Sequence, residues 1–521
     1  MVNFSQSRSR LESREGDRYR EDGEDHEQHP VDERTRLLPR QNEPYLSPDD
    51  PAVSPYNLWS VRALRGLSTA FLGVSFVWWT FLLVSLFVSA PALHTRGSGF
   101  FAFAYTTLTV GYILFSLIFF SVPSKPMTVW GLILALFLFI DMCITVAVPQ
   151  IRVEEGWVGI ATVVWAFLIA VYNIIQNRYI AWGKREEEER LTGREEARRS
   201  LREWLAVLAE TFFMAIIAIT SILFMITLVL RARDATLKPP GRKYYVSARN
   251  YQVHLDCVGN STAENSPTIL LEAGEGPVEN TLQPFIDELH QKGAIRRYCY
   301  WDRPGIAWSD NAPSPFSAGM ASDALSEALA LAGEEGPFVL VSAGIGGIYS
   351  RIFASRHLLE VHGIFLIDTL HEDYLSDIAD PGRGFGLWIR GILSPLGLNR
   401  ILGAIFKHRT REDRVFGRSA YQTGKFIRAQ LQENLVAGSM TTSEVQAARH
   451  VQMADTPLVV VSSGVEVDKS QKWADKQEDL TGITKNLRNW DIVKDAPHEV
   501  WRTTEGRRVL EERLRALVEG K

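Results

Sequence analysis

The chain has 521 residues, enough for about three domains of ordinary size. Apolar residues make up 46% and charged residues 22%, and the net charge is −5, so the composition gives no indication of a nucleic-acid-binding protein. The apolar residues are segregated: a polar N-terminal segment precedes five long apolar runs, which excludes a wholly soluble protein. Three cysteines, Cys143, Cys257 and Cys299, are too few for a disulfide scaffold and leave the redox compartment open.

Residues 1–55 are predicted to form a disordered cytosolic arm, because charged residues predominate and few large apolar side chains are available for burial. The arm lacks the apolar stretch of a secretory signal, and the ten acidic residues within positions 1–35 are unlike a mitochondrial presequence. Glu33, followed after three residues by Leu37 and Leu38, resembles the acidic dileucine signal that cytosolic sorting adaptors read on the way to vacuoles and lysosomes. We therefore predict a vacuolar or other endomembrane location, with a mitochondrial membrane as the alternative.

Five apolar runs predict a multi-pass α-helical membrane region over residues 56–235, with the lipid bilayer as its partner. Each run has about the 20 residues that a helix needs to cross ~30 Å of hydrocarbon, and the near absence of charge argues against buried helices of a soluble core. The runs are residues 66–90, 99–122, 127–148, 157–175 and 205–230.

The positive charges predict the orientation of these helices. The connection 176–204 carries eight Lys or Arg, and Arg62 and Arg65 precede the first run on the same side. The positive-inside rule makes this side cytosolic, so after five spans the C-terminal domain lies in a lumen or outside the cell. Basic residues after the last run, such as Arg231, argue the other way. A lumenal domain would expose the sequon at Asn260 to glycosylation.

Asp141 lies inside the third run, where an unpaired charge costs at least ~2.5 kcal/mol. One interpretation is an ion or proton site of a transporter. The other is a protonated or hydrogen-bonded packing residue, with Glu210 near the start of the fifth run as a candidate partner. No second charge accompanies Asp141 in mid-span, which favours the packing interpretation.

From residue 236 onward, short apolar runs alternate with helical stretches, which is typical of a largely parallel sheet covered by helices. A representative predicted helix spans residues 320–331. The predicted strands are residues 251–258, 268–271, 297–301, 338–341, 363–367 and 458–461.

Four motifs in this half resemble the α/β-hydrolase family. Residues 270–276 (LLEAGEG) look like its strand plus glycine turn, and residues 302–309 (DRPGIAWS) resemble its D-R-x-G-x-G-x-S motif with Ala307 in place of one glycine. Residues 338–347 (FVLVSAGIGG) have the form of its nucleophile elbow, and a histidine follows in DAPH. The resemblance implies an α/β-hydrolase fold over residues 236–521, with a helical cap at about 370–452.

The resemblance also places a catalytic constellation on this sequence, with one departure. Alignment of the elbow puts Gly344 where the family has its serine nucleophile, and glycine has no side chain that could attack a carbonyl. Ser342, two residues upstream at the strand end, is the fallback nucleophile. The oxyanion amides would come from Gly274, Glu275 and Ile345.

His498 would be the family's base. Asp368, at the end of a strand, would be the acid, with Glu466 and Asp468 as alternatives. An ordinary helix-start histidine and a turn aspartate satisfied by nearby amides are equally compatible with the sequence. A pocket that keeps them could still bind a ligand or hold a water activated by His498.

The segment 385–406 within the expected cap is very apolar. It can be read as a lid that dips into the bilayer or accepts an acyl chain. It can equally be read as a helical cap buried on the hydrolase core.

Two functions of different classes follow. The first is a membrane-anchored pseudo-hydrolase with a binding or scaffolding role, for a hydrophobic or acyl ligand. The second is an active ester, lipid or peptide hydrolase that uses a non-standard nucleophile. Gly344 favours the first, and a transporter is weaker because only Asp141 supports it. No metal-ligand cluster, phosphate loop or nicotinamide fingerprint is visible, so no cofactor or metal is predicted.

Overall fold

The computed structural model describes residues 54–91, 93–193, 201–260, 266–452 and 454–520. The predicted disordered arm and its dileucine element, Glu33, Leu37 and Leu38, lie outside the described residues.

Five helices in the first half are long and apolar enough to cross a membrane. Each helix overlaps one of the five predicted runs, although the first helix ends five residues before its run and the fourth extends well beyond its run at both ends. The fourth helix bends at Gly156, whose φ of 60° is not helical, and it continues to Thr192. The connection predicted for 176–204 is therefore helical over its first half. The five helices are α1 (Trp59–Ser85), α2 (Phe100–Ile118), α3 (Lys125–Ala147), α4 (Pro149–Thr192) and α5 (Leu201–Asp234).

The helices bury one apolar face against each other and leave another exposed. Leu134 and Leu138 of α3 pack in a shared cluster with Ile169 of α4, whereas Phe76 and Phe81 of α1 are more than half exposed. Such a surface suits a lipid environment, because lipid tails solvate apolar side chains that water would not.

Asp141 is fully buried in this bundle, and its partner is Tyr105 of α2. The Tyr105 hydroxyl donates to Asp141 Oδ2 at 2.7 Å. The expected partner Glu210 instead accepts a hydrogen bond from Ser124 at 2.6 Å. The sequence misses the pair because Tyr105 and Asp141 lie 36 residues apart and only helix packing brings them together.

The C-terminal half forms an eight-stranded sheet in the order β1-β2-β4-β3-β5-β6-β7-β8. Strand β2 is antiparallel to both its neighbours, and the strands from β4 to β8 are parallel. The strands are β1 (Arg242–Val246), β2 (Tyr251–Gly259), β3 (Thr268–Glu272), β4 (Arg297–Asp302), β5 (Phe338–Ala343), β6 (Val361–Ile367), β7 (Leu458–Ser463) and β8 (Leu487–Val493).

The six predicted strands are present, and the two missed strands, β1 and β8, are the edges of the sheet. Central strands such as β5 are buried on both faces and read as continuous apolar runs. Strand β8 is largely exposed, and Arg488, Asn489 and Asp491 interrupt its apolar residues, so it forms no continuous apolar run in the sequence.

Helices cover both faces of the sheet. Helices α7 and α8 pack against one face, and α6 and α17 against the other. Outside the cap the helices are α6 (Gln283–Gln291), α7 (Ala318–Ala332), α8 (Gly346–Arg356), α15 (Gly464–Lys469), α16 (Gln471–Leu480) and α17 (Thr504–Val518).

A helical cap connects β6 to β7. Helices α10 and α11 are bent by 53° relative to one another, and together they are apolar enough for a broken span or re-entrant loop. The cap helices are α9 (Leu375–Ile378), α10 (Pro381–Leu393), α11 (Leu398–Phe406), α12 (Arg411–Val415), α13 (Gly424–Val436) and α14 (Thr442–Val451).

The cap packs against the apolar helices as well as against the sheet domain. Leu387 of α10 shares a buried cluster with Leu82 of α1 and Phe100 of α2. A hydrogen bond from Arg428 of α13 to the backbone oxygen of Ser85 (3.1 Å) ties the cap to the end of α1. Neither sequence interpretation of 385–406 is complete, because one face of these helices is buried against the apolar helices and the other is exposed.

Cys257 and Cys299 form a disulfide between β2 and β4. The two residues are directly opposite in the antiparallel register, with Cα atoms 4.1 Å apart. Cys143 is the free, exposed cysteine. The sequence count of three cysteines could not show this pairing, because it depends on the register of two strands.

Candidate functional site

The turn between β5 and α8 has the geometry of a strand-to-helix elbow. Gly344 follows the last residue of β5 and has a φ of +51°, the left-handed region that a nucleophile elbow requires. Its backbone oxygen accepts a hydrogen bond from the amide of Leu370 at 2.8 Å, which holds the tip against the end of β6. The position aligned with the family's nucleophile is thus at the tip of the elbow and carries no side chain.

Asp368 and His498 are brought together beside the elbow. His498 Nδ1 lies 2.7 Å from Asp368 Oδ2. The other oxygen, Oδ1, accepts from the amide of Ser463 and from the indole of Trp473, both at 3.0 Å. Asp368 is fully buried and its φ is +44°, so the carboxylate is held rigidly in place.

The two alternative acids are not hydrogen-bonded to His498. Glu466 pairs with Lys469 at 2.7 Å, close to its own position in α15. Asp468 lies on the same short helix, α15. Geometry therefore selects Asp368 among the three candidates of the sequence analysis.

Burial alone would lower the pKa of His498, but its hydrogen bond to Asp368 and the charges of Asp368, Glu275 and Glu466 raise that pKa above its ordinary value. The imidazolium form is stabilised by these neighbours.

Glu275 places its carboxylate in the space beside the elbow tip. A Cβ added to Gly344 would lie 2.8 Å from Glu275 Oε1 and 3.1 Å from Oε2. Glu275 Oε2 is 3.9 Å from His498 Nε2, the nitrogen that faces a nucleophile in this kind of site. The motif predicts only a backbone-amide role for Glu275, and nothing in it indicates where the carboxylate lies.

The turn that carries Gly274 and Glu275 is anchored from below by Arg303. The guanidinium donates to the backbone oxygens of Ala273 (3.3 Å) and Gly274, and to Glu272 at 3.4 Å. Gly274 lies against the elbow, because a Cβ there would be 3.7 Å from Gly344 Cα. Ile345 begins the turn into α8, so the three residues expected to supply oxyanion amides do surround Gly344.

Ser342 is far less suited to attack than its sequence position suggests. It lies within β5 and is fully buried. Its hydroxyl accepts a hydrogen bond from the Ser350 hydroxyl of α8 at 2.9 Å. The side chain thus points into the interface between sheet and helix, not to the tip of the elbow.

Two side chains of the motif at residues 302–310 form hydrogen bonds with backbone atoms of neighbouring strands. The Ser309 hydroxyl accepts from the amide of His254 (2.8 Å) and donates to the backbone oxygen of Asp302 (2.6 Å). Asp310 accepts from the amide of Gln252 at 3.1 Å. Ala307, which replaces a family glycine, has a φ of +39°.

A cavity of about 280 Å³ opens between the elbow and the cap. It is lined by both apolar and charged side chains, so it would suit a ligand with both kinds of surface. The lining residues are Glu275, Ile345, Leu370, Tyr374, Asp377, Ile378, Arg383, Gln430 and Glu433.

Outside this site, two histidines lie beside carboxylates, and both are hydrogen-bonded to other residues of the chain. Both ring nitrogens of His254 are engaged, Nδ1 with Asp302 at 2.9 Å and Nε2 with the Pro240 backbone oxygen at 2.6 Å. In the second cluster, His371 Nε2 lies 2.7 Å from Asp479, whose carboxylate also pairs with Arg449. His371 Nδ1 accepts a hydrogen bond from the amide of Asp373 at 3.1 Å, so neither histidine has a ring nitrogen left over for a metal ion.

Asn260, the residue of the predicted glycosylation sequon, is exposed and lies directly after β2. Its side chain is accessible to a modifying enzyme on whichever side of the membrane the sheet domain lies.

The strand order and the site define the class of protein. It is a protein with an α/β-hydrolase fold joined to a region of apolar helices long enough to cross a membrane. An uncharacterized protein of Schizosaccharomyces pombe is 33% identical over 94% of this chain and 97% of its own length. The chain belongs to the same family as that protein, and its residues 33–257 match the model of a region of unknown function, DUF2417.

A second relative, an uncharacterized vacuolar membrane protein of Saccharomyces cerevisiae, is 27% identical over 62% of this chain and 59% of its own length. Among solved structures, an enol-lactonase from Burkholderia xenovorans has 13% identity over 53% of this chain and 100% of its own, with a TM-score of 0.37. An ancestral haloalkane dehalogenase has 15% identity over 54% and 100%, with a TM-score of 0.39. Strand order defines the fold, independently of likenesses at these scores.

Proposed function

We propose that this chain is an integral membrane protein whose hydrolase-fold domain binds a ligand without cleaving it. The observation that carries the proposal is the pairing of Gly344 with Glu275 at the elbow. The nucleophile side chain is missing, and a carboxylate lies within 3.1 Å of the space that its Cβ would fill.

The Glu275 carboxylate opposes acyl chemistry for an electrostatic reason. Attack on an acyl carbonyl develops a negative charge on oxygen, and the amides around an elbow stabilise that charge in a catalytic site. A carboxylate at the same turn repels the developing oxyanion. Its charge also adds to the hydrogen bond and charge of Asp368 in raising the pKa of His498.

The alternative, an active hydrolase, is favoured by one observation. The His498–Asp368 hydrogen bond of 2.7 Å has the geometry of a working histidine–acid pair. In that case Ser342 would be the fallback nucleophile, but its burial against Ser350 disfavours this role.

Covalent labelling separates the two functions. The purified full-length protein should not react with a serine-directed fluorophosphonate probe, because no hydroxyl lies at the elbow tip. Gly344→Ser should gain labelling, since the backbone already has the required positive φ and Glu275 is a flexible side chain that can move aside.

The control is Ser342→Ala. Stoichiometric labelling of the wild type that disappears in Ser342→Ala would show a working hydrolase and reject the binding function. Labelling of Gly344→Ser that depends on His498 would show that the rest of the triad is in place.

The bound ligand is proposed to be hydrophobic or acyl in part. Exposed apolar side chains of α10 and α11, including Phe385, Leu402 and Phe406, continue the apolar surface of the membrane helices to the cap. We propose that this face of the cap lies in the bilayer, where it would give an amphiphile a path to the cavity at the elbow.

The location proposed is the vacuolar or another endomembrane, with the sheet domain in the lumen. Two observations support it: the relative in Saccharomyces cerevisiae is a vacuolar membrane protein, and the Cys257–Cys299 disulfide suits an oxidising compartment. Cytosolic adaptors would read Glu33, Leu37 and Leu38. Replacing Leu37 and Leu38 by Ala should redirect a tagged protein from the vacuolar membrane, and unchanged vacuolar residence would exclude the dileucine signal.

A further inference from the structure

A second cavity, of about 120 Å³, lies where the apolar helices meet the sheet domain and its cap. Helices α2, α4 and α5 form one side, and the loop after β4 together with the cap forms the other. Helix α2 begins at Phe100, α4 begins at Pro149 and α5 ends at Asp234. These ends mark the edge of the hydrocarbon layer, so the cavity lies at the depth of lipid headgroups.

The lining of this cavity is amphipathic. Apolar side chains from the membrane helices form one wall: Phe101, Tyr105, Ile151, Phe224 and Leu228. Charged side chains form the other, with four cations and two carboxylates: Arg231, Arg400, Arg414, Lys425, Glu154 and Asp234.

Each carboxylate in the cavity is shared by two cations. Asp234 pairs with Arg414 at 2.6 Å and with Arg400 at 3.3 Å. Glu154 pairs with Arg231 at 2.8 Å and with Lys425 at 3.5 Å.

A third carboxylate, Glu155, does not line the cavity but lies 2.6 Å from Arg231. Lys243 and Asp310 lie close enough to interact electrostatically with Lys425 and Glu154. When these two residues and Glu155 are counted, five cations face four carboxylates, and one positive charge remains in excess. Buried cations are costly unless acceptors surround them, so this excess favours an anionic ligand.

Two hydrogen-bond donors that line the cavity have no partner within the described residues. Arg400 is only 6% exposed, and its Nε makes no hydrogen bond. The hydroxyl of Thr227 also makes no hydrogen bond, and this residue is 5% exposed. A buried donor without an acceptor costs roughly 1–3 kcal/mol, which a ligand with acceptor oxygens would offset.

We propose that this cavity binds the phosphate headgroup of an anionic membrane phospholipid. Guanidinium groups are suited to phosphate oxygens, because their planar N–H donors form paired, charge-assisted hydrogen bonds. The apolar wall and the exposed Leu398 and Leu402 of α11 supply surface for the glycerol and acyl portions. The site is separate from the elbow and does not depend on whether the elbow is catalytic.

The test uses the full-length protein in detergent, with dioleoyl phosphatidic acid as the probe and native mass spectrometry or ligand-induced fluorescence change as the readout. Phosphatidylcholine with the same acyl chains should bind at least about tenfold more weakly. Arg400→Gln and Lys425→Gln should each weaken binding of phosphatidic acid about tenfold, the loss expected for one charge-assisted hydrogen bond. Inorganic phosphate, the free anion, should not bind at the concentrations at which the lipid saturates the site.

The matched control is Arg390→Gln, an exposed arginine of α10 that does not line the cavity, and it should bind phosphatidic acid as the wild type does. Thr227→Val removes a hydroxyl without changing shape or charge. If Arg400→Gln does not fold, binding by Thr227→Val and Lys425→Gln tests the proposal instead. Equal binding of the two lipids, or undiminished binding by both Lys425→Gln and Thr227→Val, would overturn the proposal. Inorganic phosphate that binds as tightly as phosphatidic acid would also overturn it and leave a site for a free anion.

Discussion

At the residue scale, two side chains distinguish this elbow from that of a catalytic hydrolase: one is missing and one is added. Gly344 keeps the backbone conformation of a nucleophile position, and Glu275 brings a carboxylate to it. Behind that turn, Glu272 is fully enclosed and accepts a hydrogen bond from the Trp301 indole at 2.6 Å. Burial raises the pKa of Glu272 to about 7, although the charge of Arg303 opposes the shift.

The raised pKa of Glu272 predicts a protein that is more stable in acid. A carboxyl whose pKa is higher in the folded state than in the unfolded state stabilises fully below the unfolded pKa, near 4.5, and loses that contribution as the pH rises through 7. His498 acts in the same direction, because its pKa is also raised, and so does Glu279, whose pKa burial raises to about 9. His94 offsets part of the effect, because burial lowers its pKa to about 4. The melting temperature should therefore fall by about a few degrees between pH 5 and pH 8.

Scanning fluorimetry of the purified protein at both pH values measures this effect. Glu272→Gln cannot ionise, so the difference between pH 5 and pH 8 should shrink in this variant. At Glu372, hydrogen bonding and charge from Arg351 outweigh burial and lower the pKa to about 2. The folded protein therefore keeps Glu372 ionised between pH 5 and pH 8. A melting temperature that rises from pH 5 to pH 8 in the wild type would contradict the prediction.

At the element scale, the close contact between α10 and α2 joins the cap to the apolar helices. A Cβ added to Gly391 of α10 would overlap the ring of Phe100, which is fully buried at the start of α2. Glycine at this position allows the two helices to approach closely. The sequence alone shows an apolar segment here, but not the partner that covers half of it.

Gly391→Ala should therefore destabilise the full-length protein by about 1–3 kcal/mol, the usual cost of overpacking a buried contact. Gly386→Ala on the same helix is the matched control, because a Cβ there meets nothing within 4 Å. It should be neutral or stabilising, since alanine favours helix. Thermal unfolding in detergent measures both, and equal behaviour of the two variants would show that α10 does not pack on α2.

At the scale of the whole molecule, five apolar helices and one disulfide support the lumenal side that we propose for the sheet domain. If the N-terminus is cytosolic, as we propose, an odd number of spans would put the domain in the lumen. A re-entrant α10–α11 pair would not change that side, because it enters and leaves the bilayer on the same face.

Glycosylation of Asn260 tests this topology. The residue is exposed at the end of β2, so a lumenal domain should carry a glycan, and glycosidase treatment should increase the mobility of the protein on a gel. Asn260→Gln should abolish the shift. Cleavage of the C-terminal domain by a protease added to the cytosolic side of sealed vesicles would instead refute the five-span arrangement.

The sequence by itself determined the elements whose signal is local. Runs of about 20 apolar residues predict the five helices, and continuous apolar strands such as β5 and β7 predict the centre of the sheet, because burial on both faces requires apolar residues at every position. The motifs also located Gly344, Asp368 and His498. Tertiary structure decided what depends on distant pairs of residues: Tyr105 rather than Glu210 beside Asp141, the disulfide set by strand register, the edge strands, and the carboxylate of Glu275 at the elbow. A side chain's partner across the fold leaves no periodic trace in the sequence, so only the folded chain shows it.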